Sequence, residues 1–117
     1  MRTVKILAVA FMAALGLGIM VAPANASLSD CTSGRFCLWT GNGTGTRGEY
    51  LPAVDHCLNI SGTLNNNAES GRNRTASTFY TYNGANCTGV SGSWGPGAPG
   101  GPTSAEQFNQ ISSIYRA

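Results

Sequence analysis

Four cysteines, Cys31, Cys37, Cys57 and Cys87, constrain this chain more than any other feature. They occur in 117 residues that include 16 glycines, a composition that cannot rely on an apolar core alone. An even count in a short exported chain reads as two disulfides, with three possible pairings. The favoured pairing is Cys31–Cys37 with Cys57–Cys87. Ser33-Gly34 supplies turn chemistry inside the first loop, so the chain can fold back on itself there. Chain entropy assigns about 2.4 kcal/mol to the short loop and about 3.7 kcal/mol to the longer one. A small domain has a total stability of only about 5–10 kcal/mol, so both matter. Zinc is the rival use of cysteine, but there is no C-x-x-C pair and His56 stands alone, so no metal or other cofactor is expected.

The disulfide reading depends on export. Arg2 and Lys5 form a positive start, residues 6–22 are almost continuously apolar, and Ala24-Asn25-Ala26 is an A-x-A cleavage site. This pattern predicts a signal peptide over residues 1–26 and a secreted domain over 27–117. A membrane anchor is the competing reading, because roughly 17–25 apolar residues span a bilayer. Gly16, Gly18, Pro23 and the cleavage site favour removal, so no membrane contact is expected afterwards.

The net charge of +2 resides in the leader. In the mature part Arg35, Arg47, Arg72, Arg74 and Arg116 balance Asp30, Glu49, Asp55, Glu69 and Glu106. A neutral domain lacks the basic footprint of a nucleic-acid binder.

Phe36–Trp39 reads as the first strand, with Phe36 and Leu38 on one face and Cys37 and Trp39 on the other. Residues 40–48 hold four glycines and read as a tight hairpin. The hairpin lacks the Gly-Lys-Ser/Thr ending of a phosphate loop. Glu49–Leu51 is the return strand, stopped by Pro52. Residues 65–73 form a polar loop, and Thr75–Tyr82 is the clearest strand signal, ended by the turn Asn83-Gly84. Asn86–Val90 reads as a short strand or exposed loop. Residues 92–102, rich in glycine and proline, read as a long surface loop, because they can form neither helix nor central sheet. Ser104–Gln107 fits a capping box for one helical turn, and Ile111–Tyr115 is the last strand.

Asp55, His56 and Cys57 adjoin, but neighbours on a strand point to opposite faces and Cys57 is expected to be oxidised. No pair of carboxylates completes an active site, so an enzyme is not expected. Phe36–Trp39 and Phe79–Tyr82 each lead a glycine-rich hairpin. A weak repeat follows, with Asn73–Thr78 closing one half and Asn109–Ser113 the other. Short strands, glycine turns and this twofold pattern predict an all-β sandwich of two Greek keys.

At C-x-x-G-x-x-C-L-W (Cys31–Trp39), at Tyr82-x-x-x-x-Cys87-x-Gly89 and at Asn109-Gln-Ile-Ser112-Ser113, the sequence resembles peptidase inhibitor family 36, the streptomycete metalloproteinase inhibitor-like proteins of βγ-crystallin-like fold. The resemblance implies a non-enzymatic extracellular inhibitor of metalloendopeptidases that presents a rigid substrate-like loop to a thermolysin-type protease; separately, a monomer is expected. It places that reactive loop at Asn86, Cys87, Thr88, Gly89 and Val90, with the staple supplied by Cys57. A disulfide beside the loop reduces the entropy lost on binding. The alternative is a non-inhibitory structural or calcium-binding crystallin-like module. Crystallin-type calcium sites resemble N/D-N/D-x-x-S/T-S, and the nearest stretches are Asn73–Thr78 and Phe108–Ser113. Calcium favours carboxylate oxygens and neither stretch has one. Ser77 and Ser112 are expected instead to hydrogen-bond within the sheet corners.

Overall fold

The structure, a computed structural model, describes residues 27–117, and the predicted signal peptide, residues 1–26, lies outside them. Eight short strands make up the domain: β1 (Phe36–Trp39), β2 (Arg47–Tyr50), β3 (His56–Asn59), β4 (Ser70–Asn73), β5 (Phe79–Tyr82), β6 (Ser91–Trp94), β7 (Gly101–Pro102) and β8 (Ser113–Arg116). They form two antiparallel sheets, ordered β2-β1-β4-β7 and β3-β8-β5-β6. The third strand of each half crosses to the other sheet, so β3 pairs with β8 and β7 with β4. Two interlocked Greek keys result, as the repeat predicts.

The alternation read for β1 is present, but both of its faces are buried. Phe36 and Leu38 face the sandwich interior. There Phe36 stacks on Phe79 at 4.6 Å and meets the edge of Trp94 at 5.7 Å. Ile60, Leu64, Ala68, Ile111 and Ile114 complete this core. Burying each large apolar side chain is worth about 1.5–3 kcal/mol. Gly71 suits the close packing here, since a Cβ would come within 3.0 Å of Leu38 and the Trp94 ring. Cys37 and Trp39 face outward, where the N-terminal segment covers them. Leu28 and Cys31 pack on Trp39, and the Cys31–Cys37 disulfide fastens the cover. Arg72 Nη1 donates to the Leu28 carbonyl at 3.0 Å and Arg74 Nη1 to that of Cys31 at 2.7 Å, so β4 and its continuation hold the same strap.

Several expectations need correction. The fifth strand begins at Phe79, not Thr75. Asn73 is fully buried and draws residues 73–77 into a corner: its Oδ1 accepts from Thr75 N at 3.0 Å and its Nδ2 donates to the Ser77 carbonyl at 2.7 Å. Such local bonds compete with ladder pairing. Ser91–Trp94 and Gly101–Pro102 are strands, although most of them fell within the segment read as loop. Both are sheet edges, where proline and glycine are tolerated. His56–Asn59, exposed except at Leu58, is an edge strand with no sequence signal. Ser104–Gln107 starts no helix. Gln107 is buried and its Nε2 donates to the Thr81 carbonyl at 2.8 Å, so it does not reach back to cap a turn. The last strand starts at Ser113, because Ile111 gives its carbonyl to Asn66 N across the loops.

Candidate functional site

The hairpins β1–β2 and β5–β6 are built alike. Ser70 Oγ on β4 accepts from Gly43 N at 2.8 Å and donates to the Gly41 carbonyl at 2.7 Å. Ser113 Oγ on β8 accepts from Cys87 N at 2.8 Å and donates to the Gly84 carbonyl at 2.6 Å. Each serine thus ties a hairpin tip down onto the sheet that carries it. The second tip, Asn83–Val90, contains the residues singled out from the sequence.

Asn86 and Cys87 both take left-handed backbone, with φ of 59° and 58°. Asparagine tolerates this region, but a cysteine there is held by its surroundings. The restraints are the Cys57–Cys87 disulfide, the Ser113 hydroxyl, and a reciprocal pair with β3. In that pair Asn86 N donates to Asn59 Oδ1 at 2.7 Å and Asn59 Nδ2 donates to Asn86 Oδ1 at 3.0 Å. Thr88 Oγ1 donates to the Ala85 carbonyl at 2.7 Å, and Gly84 N to that of Thr88 at 2.9 Å. Thr88, Gly89 and Val90 remain exposed. Four of the five candidate residues therefore sit on one rigid, solvent-facing knob, and the fifth, Cys87, anchors it. The disulfides follow the favoured pairing. Asn59 and Ser113 complete the knob and could not be read from the sequence, because both lie far along the chain from residue 86.

Asp55, His56 and Cys57 do not form a catalytic group. Cys57 is spent in the disulfide, and His56 Nδ1 donates to the Val54 carbonyl at 3.0 Å. Tyr115 donates to Asp55 Oδ1 at 2.8 Å. That bond raises the pKa of the phenol above its ordinary range, because ionisation would set two negative charges together.

The counterpart of Phe108–Ser113 is Asn65–Ser70, not Asn73–Thr78. Asn66 N donates to the Ile111 carbonyl and Asn109 N to the Ala68 carbonyl, each at 3.0 Å, so the two loops grip each other symmetrically. Asn66 and Asn109 are both left-handed, at φ 61° and 58°. Glu69 is the only carboxylate in the pair of loops, and Ser112 Oγ is already bonded to Asn66 Oδ1 at 2.7 Å. This donor set is poor for calcium, which takes six to eight oxygens, several from carboxylates. Among the described residues, no three of His, Cys, Asp and Glu cluster to hold a metal. Ser77 accepts from Asn73 and Thr75, so its corner is structural.

Comparison with known proteins bears on this architecture. The model of peptidase inhibitor family I36 matches residues 24–94, more than half of the chain. A search of curated protein sequences finds no match. Among solved structures, the N-terminal domain of protein S is similar at a TM-score of 0.55 and 16% identity, covering 71% of this chain and 94% of that one. A βγ-crystallin domain of the Abundant Perithecial Protein from Neurospora crassa, in its Ca2+-bound form, is similar at 0.53 and 15% identity, covering 72% and 88%. At these identities the likeness concerns the fold, which is of the βγ-crystallin type.

Proposed function

Because the chain belongs to peptidase inhibitor family I36, we propose that it is a secreted, non-enzymatic inhibitor of endopeptidases, with a thermolysin-type metallopeptidase as its target. Residues 1–26 direct export and are removed, and the two disulfides form in the oxidising compartment beyond. One observation carries the reading beyond the family: the Asn83–Val90 knob is fixed at its tip by a disulfide, by Ser113 and by the Asn59–Asn86 pair. A loop held in one conformation before binding loses little entropy on binding, and a stapled loop stays in place if it is nicked. In this reading Asn86, Cys87, Thr88, Gly89 and Val90 form one edge of the contact surface.

Titration of thermolysin-type and serine peptidases with residues 27–117, disulfides intact, tests the proposal. Nanomolar inhibition of a metallopeptidase is the expected result. Absence of inhibition together with a calcium-dependent melt would favour the crystallin-like module, the second reading. Its support is the fold shared with a neighbour solved in a Ca2+-bound form.

A further inference from the structure

Large aliphatic side chains belong inside a β domain, yet two of them stand out of a single loop here. Among the described residues the exposed large apolar side chains are Leu51 (44%), Val54 (51%), Val90 (46%) and Phe108 (47%). Leu51 and Val54 share the short connection between β2 and β3. We infer that this loop, Leu51–Asp55, is the part of the inhibitor that enters the peptidase cleft, with Leu51 and Val54 as its apolar anchors. The inference rests on the inhibitor reading above and names the contact within it.

The loop is braced from behind. Arg116 Nη1 donates to the Pro52 carbonyl at 3.0 Å, and Asp55 N donates to the Arg116 carbonyl at 2.7 Å. His56 N donates to the Ala53 carbonyl at 3.2 Å, and the His56 ring takes the Val54 carbonyl. Asp55, at φ 63°, closes the turn and is held by Tyr115 through its carboxylate. Two residues further on, Cys57 is locked to Cys87. Three successive carbonyls and both flanks of the loop are therefore drawn onto the sandwich, while Leu51 and Val54 project away from it. A pre-set loop that presents apolar side chains with its backbone already satisfied is what a tight contact requires. Pro52 stiffens it further.

The knob at residues 86–90 is a weaker candidate for the cleft itself. Two successive left-handed residues, Asn86 and Cys87, fold the knob back on itself, and its one large exposed apolar side chain is Val90, against two in the Leu51–Asp55 loop. Leu51–Val54 has no positive φ, and Asp55 alone in the loop is left-handed, closing the Ala53–His56 turn that presents Val54. Thr88, moreover, is small and polar, whereas the primary pocket of a thermolysin-type peptidase takes a large apolar side chain. The partner fitting Leu51 and Val54 is an endopeptidase with such a pocket, and the knob lies toward the other end of β3, tied to Asn59 and Cys57.

The test compares inhibition constants of intact 27–117, Val54→Asp, Val54→Leu and Phe108→Asp against a thermolysin-type metallopeptidase. An anchor contributes at the level of a binding hot spot, so Val54→Asp should weaken inhibition about 30-fold or more. Val54→Leu should retain it, and Phe108→Asp, equally exposed but on another loop, should leave it unchanged. Val54 is on the surface, so the melting temperature should not move in either Val54 variant. Equal inhibition by wild type and Val54→Asp would overturn the loop assignment while leaving the inhibitor reading intact. A wild type that inhibits no peptidase would overturn the inhibitor reading, and the assignment with it.

Discussion

The two halves of the sandwich are built to one plan and finished differently. Cys37 and Trp39 on β1 correspond to Tyr80 and Tyr82 on β5, and Leu38 with Leu64 corresponds to Thr81 with Gln107. In the first half the outward pair is sealed under the N-terminal strap, with Trp39 only 1% exposed. In the second half Tyr80 and Tyr82 are only partly buried and no strap covers them, with Tyr115 beside Tyr80 at 6.5 Å. Inside, an apolar pair in one half becomes a hydrogen-bonded one in the other: Thr81 Oγ1 donates to Gln107 Oε1 at 2.7 Å and accepts from Trp94 Nε1 at 3.0 Å. The first half thus serves as a closed anchor. The sheet that carries the second hairpin leaves an open aromatic face between the knob and the Leu51–Asp55 loop.

The sharpest way to break this comparison is at the pseudo-axis. Phe36→Ala and Phe79→Ala should each cost about 3–5 kcal/mol, because each removes one ring of a stacked, fully buried pair. Similar losses in urea melts would support equivalent halves, whereas a large cost on one side only would contradict it. Next come the disulfides. Cys57→Ala with Cys87→Ala should lose about 3.7 kcal/mol, and Cys31→Ala with Cys37→Ala about 2.4 kcal/mol on chain entropy. The second pair should also loosen the strap and raise Trp39 fluorescence quenching by acrylamide, an effect that the first pair should not have.

The serines sharpen the comparison at a finer scale. Ser70→Ala and Ser113→Ala each strand a backbone N–H and a carbonyl, at a cost of about 1–3 kcal/mol. The tip at Cys87 keeps its disulfide, so Ser113→Ala should be the milder of the two in thermal melts.

The smallest effect concerns pH. The Thr32 hydroxyl, against the opposing effect of burial and with help from the Thr32 N–H and then Arg47 at 3.0 Å, holds the Glu49 carboxyl below its ordinary range. A carboxylate lowered on folding adds stability above its ordinary value and loses it as pH falls through the lowered one. Glu49 is partly exposed, so the loss should be slight and salt-sensitive. Melting temperatures measured down through the acid range should show it in the wild type and not in Glu49→Gln.

Much of the fold was legible because its signals are local. Phe36–Trp39 and Phe79–Tyr82 carry alternation, and glycine and asparagine mark both hairpins. What was not legible depends on partners far along the chain. Nothing in His56–Asn59 announces a strand, since its pairing is supplied by β8. Asn73 reads as the end of a polar loop, whereas it closes β4 and finds acceptors on Trp94 and Gly95. The candidate site divides in the same way. The cysteines stood out in the sequence, whereas the bracing of the Leu51–Asp55 loop comes from Arg116 and Tyr115, far along the chain but adjacent in the sheet.

The most direct test of the division between anchor and proposed working face is amide hydrogen exchange on residues 27–117, alone and mixed with a thermolysin-type metallopeptidase. The account predicts slowed exchange at Ala53, Val54 and residues 86–90 on binding, with the strap at residues 28–35 unchanged. Protection confined to the strap, with residues 53–54 and 86–90 exchanging as in the free protein, would contradict it.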